Sequence, residues 1–289
     1  MNADEFVQEV MASNLKPNNF EEKYREFQIY QKIALNTLQA LHDVCVKSGI
    51  QYQLAFGSLL GAIRDGGQIP WDYDIDVFIE ASDRTRLIDA LRNNLDKDYY
   101  FYCPEQNTEC THAIIRLAPN GFNSRYLHVD VFILMGISDE EMESEKEKKE
   151  IADIVLAYKA KKYNPFTYGH VSRKELELYI KTKIKMIGRS TTKLWNAYTD
   201  LIYKHNFDSV QKCCCADKFS DNVYPTQMMR NSELFHMEIG SFYIPRDYDD
   251  MLQLTFGDYN KLFPLEARLK EMMGSYNSLK RYCPLKHVK

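Results

Sequence analysis

Three aspartates in two apolar segments have the spacing of a metal site, and two of them stand close together. Asp74 and Asp76 alternate with Ile75 and Val77, and on a strand residues two apart point to the same face. Two carboxylates held side by side repel each other, and a divalent cation, which prefers oxygen ligands, is the usual compensation. Residues 74–77 therefore predict one part of a cation site.

The third aspartate, Asp130, lies within the strongly apolar segment 129–134. A buried carboxylate without a partner would be costly, so this residue also requires a compensating charge. If its strand lies beside that of Asp74 and Asp76, the three carboxylates converge on one site. We therefore predict that Asp74, Asp76 and Asp130 are both metal ligands and catalytic residues.

A Gly-Ser pair precedes these acids and could hold a phosphate. Gly57-Ser58 stands at the predicted start of a short helix, where backbone N–H groups and a hydroxyl can bind phosphate oxygens. Arg64 follows this segment and could hold a phosphate with two parallel hydrogen bonds. The alternative for Arg64 is a surface ion pair with Asp65 or Asp72.

A Gly-Ser pair, an Asp-x-Asp pair and a lone Asp on a later strand together are the signature of the nucleotidyltransferase fold. Residues 57–64, 69–72 and 74–76 resemble a narrower group, the LicD family, which includes the fukutin-type proteins. Residues 244–259 also resemble the closing motif of that family. This resemblance implies an α/β (α+β) fold with a nucleotidyltransferase-like mixed sheet, flanked by helices and carrying a helical insert.

The resemblance covers about residues 25–135 and 233–260, and one position departs from the family pattern. Where the family often reads Trp-Asp-Asp-Asp-Ile-Asp, Tyr73 replaces the second aspartate of that run. Asp72, Asp74 and Asp76 remain, so the departure affects only an accessory acidic role.

The resemblance implies transfer of a phosphorylated alcohol, typically phosphocholine from CDP-choline, to a hydroxyl of a cell-surface glycan or its precursor, such as lipopolysaccharide or teichoic acid. The expected partners are a CDP-linked alcohol donor and a glycan or glycolipid acceptor. The expected cofactor is Mg²⁺ or Mn²⁺, as one or two ions that would neutralise the donor diphosphate. One acid, with Asp130 as the candidate, would accept the proton of the attacking hydroxyl. The sequence does not choose between choline, glycerol and ribitol.

Two alternatives remain open at this stage. The first is a nucleotidyltransferase that moves NMP from an NTP to a small acceptor and releases pyrophosphate. The second is a non-catalytic nucleotide- or glycan-binding protein of the same fold.

Further residues are candidates for substrate contact. Arg116 alternates with Ile114, and the family commonly has a basic residue there, so we expect it to meet phosphate. His128 shares the face of Asp130 and could act as a general base or substrate contact, or could be a simple hydrogen-bonded histidine. Glu238 matches a family glutamate, and a negative charge near aromatic rings would suit a quaternary ammonium. The predicted substrate-binding residues are Gly57, Ser58, Arg64, Asp72, Arg116, His128 and Glu238.

The elements that position these residues follow from periodicity. Residues 20–47 place apolar side chains at helical spacing and predict a helix that packs on the sheet. Residues 138–210 read as charged and amphipathic helices. We therefore predict a catalytic core in 1–137, a helical insert in 138–210 and a C-terminal part in 211–289 that completes the core.

Composition restricts the partners and the compartment. The net charge of −4 over 289 residues gives no electrostatic case for nucleic-acid binding. The N-terminal residues lack the apolar run of a signal peptide, and the longest apolar run, 129–137, is too short to span a bilayer. The seven cysteines, without a Cys-x-x-Cys pair, suit a reducing compartment. We expect a cytoplasmic protein, with peripheral membrane contact possible through the basic residues 181–189.

Overall fold

The structure, a computed structural model, describes residues 1–107, 110–164, 173–217 and 222–285. The chain divides into two compact units. The first unit comprises Met1–Phe101, Arg116–Val131 and Gln227–Lys289, and the second comprises Tyr102–Ile115 and Phe132–Thr226. The predicted insert, 138–210, lies within the second unit, whereas the predicted C-terminal part, 211–289, divides between the two. The domain bounds drawn from the sequence stay a prediction.

The strands form a mixed sheet of seven and a separate hairpin of two within the part of the chain that is described. In chain order they are β1 (Tyr52–Leu54), β2 (Ile75–Glu80), β3 (Tyr99–Tyr102), β4 (Ile115–Pro119), β5 (Val129–Ile137), β6 (Lys212–Cys215), β7 (Val223–Pro225), β8 (Ser232–Met237) and β9 (Gly240–Pro245). The order across the large sheet is β1-β2-β5-β4-β3. The strand of Asp130, β5, is therefore the direct neighbour of β2, as convergence of the three acids requires.

The helices flank these strands, and the predicted fold class is confirmed. They are α1 (Ala3–Ala12), α2 (Phe20–Ser48), α3 (Phe56–Leu60), α4 (Arg84–Asn94), α5 (Glu141–Lys162), α6 (Arg173–Lys185), α7 (Thr191–Ile202), α8 (Gln227–Arg230), α9 (Tyr248–Phe256) and α10 (Leu265–Tyr282). Across the described residues, no helix has both the length and the apolar character needed to cross a membrane.

Helix α2 confirms the periodicity of residues 20–47. Its apolar face is buried, including Phe27, Ala34 and Leu38. The residue after its last turn is Gly49, which caps the helix. Its φ of 62° lies in the left-handed region, where a residue without a Cβ avoids a steric penalty.

In the second unit, the last half of β5 pairs antiparallel with β6, which places Leu134 opposite Cys215. Strand β6 carries Cys213, Cys214 and Cys215, and all seven cysteines of the chain are buried. The three adjacent cysteines therefore occupy ordinary strand positions in this unit.

Candidate active site

The backbone of Asp76 is fixed from both sides by the start of α3. Its N–H donates to Oγ of Ser58 at 2.8 Å, and its carbonyl accepts from the N–H of Ala55 at 2.9 Å. Ile75 and Val77 are buried on either side, as strand alternation predicts. The Ser58 hydroxyl thus holds the acidic strand in place, and its predicted phosphate contact stays a prediction.

The turn between β1 and α3 is strained and tightly packed. Phe56 has a φ of 44°, a left-handed conformation that is costly for a bulky residue and is concentrated at functional sites. A Cβ on Gly57 would lie 3.3 Å from Oδ2 of Asp72, so this glycine lets the carboxylate approach the backbone. A Cβ on Gly61 would lie 2.6 Å from the carbonyl oxygen of Gly67, which leaves no room for a side chain.

Gln31 on α2 holds the loop that leads into the acidic strand. Its Nε2 donates to the carbonyl oxygens of Ile69 at 3.0 Å and Asp72 at 2.6 Å. Oδ1 of Asp72 in turn accepts the backbone N–H of Asp74 at 3.1 Å. Sequence reasoning missed Gln31, although a signal existed, because this polar residue occupies a position on the apolar face of α2.

Asp130 is engaged by two basic side chains. Arg116 donates from Nε to Oδ1 at 2.6 Å and from Nη2 to Oδ2 at 2.8 Å, a bidentate pair. Nε2 of His128 lies 3.4 Å from Oδ2. The three predicted site residues are therefore neighbours, and the two basic side chains are directed at Asp130. Phosphate binding by Arg116 and a base role for His128 stay predictions.

The four aspartates have very different electrostatic surroundings. Burial would raise the pKa of Asp130, but the charges of His128 and Arg116 and their hydrogen bonds hold it below its ordinary value. Burial and the charges of Asp130 and Asp74 raise the pKa of Asp76 well above its ordinary value. Burial raises the pKa of Asp74 as well. Burial and the charge of Asp74 raise the pKa of Asp72 to about 7.

Two residues outside the predicted set border these acids. Burial and the charge of Asp74 raise the pKa of Glu271 on α10, so its carboxylate adds to the negative charge here. The hydroxyl of Tyr73 lies close enough to Asp74 to favour the charged form of that carboxylate. Tyr73 thus supplies a hydrogen-bond donor at the position where the family often has an acid. Glu271 carried no motif signal and could be found only from the fold.

Arg64 and Glu238 have other neighbours. Arg64 donates from Nε and Nη2 to the carboxylate of Asp65, at 2.9 and 2.7 Å, which is the alternative that the sequence left open. Glu238 is exposed in the turn after β8 and lines a cavity of about 440 Å³ that also includes Gly66 and Gly67. The aspartates of the cluster do not line that cavity. Phosphate binding by Arg64 and donor contact by Glu238 stay predictions.

The donor chemistry of the site fits a hard divalent cation. No group of three His, Cys, Asp or Glu side chains among residues 1–107, 110–164, 173–217 and 222–285 is arranged to hold a metal ion. Asp74 and Asp76 nevertheless present carboxylate oxygens, which Mg²⁺ and Mn²⁺ prefer. Loss of solvation, followed by repulsion from neighbouring carboxylates, raises the pKa of both groups, and a bound cation would offset both effects. Nδ1 of His128 is buried without a hydrogen-bond partner in the described chain. The metal assignment itself stays a prediction.

Comparison with known proteins identifies the family of this region. Residues 49–168 match the family described as LicD/FKTN/FKRP, nucleotidyltransferase domain. The chain carries a LicD-family domain. The predicted Gly-Ser pair, the acids from Asp72 to Asp130, Arg116 and His128 all lie inside this domain, whereas Gln31, Glu238 and Glu271 lie outside it.

Individual relatives match shorter parts of the chain. The lipopolysaccharide cholinephosphotransferase LicD of Haemophilus influenzae is 30% identical over 125 residues, which cover 38% of this chain and 44% of that protein. The ribitol 5-phosphate transferase FKRP of Homo sapiens is 56% identical over 47 residues, covering 16% of this chain and 10% of that protein. The chain thus spans less than half the length of these curated relatives.

Proposed function

We propose that the protein transfers a phosphorylated alcohol, namely phosphocholine from CDP-choline, to a hydroxyl of a cell-surface glycan or its precursor. The observation that carries this proposal is the carboxylate pair of Asp74 and Asp76, which forms no ion pair with any described residue and lies beside Asp130 on the neighbouring strand of a LicD-family domain. Carboxylates that repel one another at the end of a strand are costly to fold and suit the binding of a metal and a diphosphate.

The activities of the relatives support the class of donor. One relative is a cholinephosphotransferase and another a ribitol 5-phosphate transferase, so both move a phosphorylated alcohol. The match to the cholinephosphotransferase extends over 125 residues against 47 for the other. This longer match favours choline as the alcohol.

The proposed reaction replaces the phosphoanhydride bond of the donor with a phosphate ester bond to the acceptor. The acceptor hydroxyl oxygen attacks the phosphorus that bears the alcohol, the bond from that phosphorus to the bridging oxygen breaks, and CMP leaves with the bonding electron pair. Mg²⁺ or Mn²⁺, when held by Asp74, Asp76 and Asp130, supplies charge neutralisation for the diphosphate and the leaving CMP.

The proton of the attacking hydroxyl passes to a carboxylate of the cluster. Because Arg116 and His128 hold Asp130 in its charged form, Asp130 is a weaker proton acceptor than the sequence suggested. Asp72, with a pKa raised to about 7, is better matched to accept a proton near neutral pH.

Product identity tests the proposal. The protein is incubated with Mn²⁺ or Mg²⁺ and, separately, CDP-choline, CDP-ribitol, CDP-glycerol, ATP and CTP, with water replacing the acceptor hydroxyl as the attacking group, and products are identified by ³¹P NMR. Release of CMP with a phosphorylated alcohol, lost in Asp76→Asn and retained in Glu147→Gln, is the expected result. Pyrophosphate from ATP or CTP alone would establish NMP transfer instead, and nucleotide binding without any product would establish a binding protein.

A further inference from the structure

A second cavity lies beside the aspartate cluster, within the first unit. Its volume is about 600 Å³, within the range of about 300–1,000 Å³ typical of small-molecule sites. Tyr73 and Tyr126 form one part of its lining. One face of α10 forms the rest, with residues Lys270, Glu271, Gly274, Ser275 and Ser278.

The aromatic part of the lining is held in place by packing. The ring of Tyr73 packs edge-on against Phe27, with centroids 6.4 Å apart. The ring of Tyr126 stacks on Tyr282, with centroids 4.4 Å apart and planes 7° from parallel. Fixed tyrosine rings combine apolar area with a polar hydroxyl, which suits a ligand that has an apolar face and hydroxyl groups.

The helical part of the lining offers polar groups that the fold does not use. No hydrogen bond or ion pair to another described residue is formed by the side chains of Lys270, Glu271, Ser275 and Ser278. The opposite face of α10 is buried through Leu269, Met272, Tyr276 and Leu279. These free donors and acceptors are therefore available to a hydroxyl-rich ligand.

Gly274 keeps this cavity open in the middle of α10. A glycine in a helix interior is less stable than alanine by roughly 0.5–1 kcal/mol. A Cβ at Gly274 would have no heavy atom within 4 Å, so packing inside the protein does not require a glycine. A larger side chain at this position would extend into open space rather than into the core.

The charges that line the cavity bear on whether it suits a cationic headgroup or a neutral sugar. Lys270 and Glu271 stand on the same wall, so the cavity offers no net negative charge to a cationic headgroup. Glu271 and Tyr73 both act on Asp74, so a ligand in the cavity lies next to the reacting acids. We propose that this cavity binds a sugar ring of the glycan acceptor, and this assignment rests on the proposed function. The flat apolar face of a ring, which an acyclic polyol lacks, is what the tyrosine rings recognise.

Saturation-transfer NMR with methyl β-D-galactopyranoside and methyl β-D-glucopyranoside tests the assignment, with free ribitol as the acyclic comparison. The wild-type protein should transfer saturation to a methyl glycoside and not to ribitol. Gly274→Phe should abolish that transfer, while the exposed Asn277→Phe on the same helix should retain it. Glu271→Ala, an exposed change that does not threaten the fold, should weaken glycoside affinity at least about threefold.

Thermal shift with CDP-choline and Mn²⁺, measured in parallel, separates the two proposals. Gly274→Phe should keep the shift of the wild-type protein while it loses the glycoside signal. Glycoside signals that are unchanged in both Gly274→Phe and Glu271→Ala, or saturation of ribitol in place of the glycosides, would overturn the assignment. Absence of any shift with CDP-alcohols, together with glycoside signals that depend on Gly274, would refute the proposed function and leave the sugar site standing.

Discussion

Two acidic regions of this molecule treat negative charge in opposite ways. In the second unit, Glu147 on α5 has a side chain only 1% exposed. Its Oε1 lies 2.6 Å from Nζ of Lys204 and 2.7 Å from Nε2 of His205, and its Oε2 accepts the N–H of Ser138 at 2.8 Å. Burial would raise its pKa, but these bonds outweigh burial and lower it.

In the first unit, Asp74 and Asp76 form no ion pair with any described residue, and their pKa values are raised. The charged form of Glu147 therefore stabilises the folded chain, whereas the charged forms of Asp74 and Asp76 destabilise it. Acids of the second kind are expected where a ligand supplies the missing positive charge.

Asp76→Asn should reduce kcat/KM for CMP release by about a thousandfold, because a metal ion contributes several kcal/mol to the transition state. Its melting temperature should stay equal or rise, because the repulsion from Asp74 and Asp130 disappears while the backbone bond to Ser58 remains. Activity assays and calorimetry on the same preparation measure both effects. Near-normal turnover would contradict the metal assignment.

Mn²⁺ should stabilise the wild-type protein by about 2.7 kcal/mol at a concentration of about 100 times its dissociation constant. At one fixed Mn²⁺ concentration the gain should be larger at about pH 8 than at about pH 5, because Asp74 and Asp76, whose pKa values are raised, must lose protons to bind metal. Differential scanning fluorimetry at the two pH values measures it, with Asp76→Asn as the control. An equal gain in that variant would place the ion elsewhere.

Glu147→Gln should destabilise the protein by about 1–3 kcal/mol, because His205 loses its charged partner and Lys204 keeps only Glu143, while both remain partly open to water. Urea unfolding measures the loss. The Mn²⁺ shift should be unchanged, because this acid stabilises the fold of the second unit. A weakened Mn²⁺ shift would remove the distinction between the two regions.

Asp72→Asn should stabilise the protein by about 1 kcal/mol at about pH 8, since solvent screens this half-exposed group. Between its ordinary pKa of 3.8 and its folded value of about 7, the folded chain holds a proton that the unfolded chain has lost. Wild-type stability therefore falls as pH rises through this window, and the substitution removes that fall.

Glu147 changes the stability with pH in the opposite direction. Its folded pKa is lowered, so its contribution is present above the unfolded pKa and is lost as pH falls. Melting curves of Asp72→Asn and Glu147→Gln against pH should therefore diverge in opposite directions from wild type. Parallel curves would contradict the electrostatic difference between the two regions.

The sequence by itself determined the residues that cluster and the faces they share. Strand alternation is a local property of the backbone, so the positions of Asp76, between buried Ile75 and Val77, and of Asp130 could be read without a fold. The periodicity of α2 was equally local, and it extended over residues 20–47 as predicted.

Only the tertiary structure decided which charge meets which acid. Coulomb energy depends on the distance between atoms, and residues remote in sequence set that distance at this site. Arg116 pairs with Asp130, Arg64 pairs with Asp65, and Glu271 on α10 lies near Asp74. No local sequence pattern specifies these contacts between charged side chains, because they depend on how the strands and helices pack against one another.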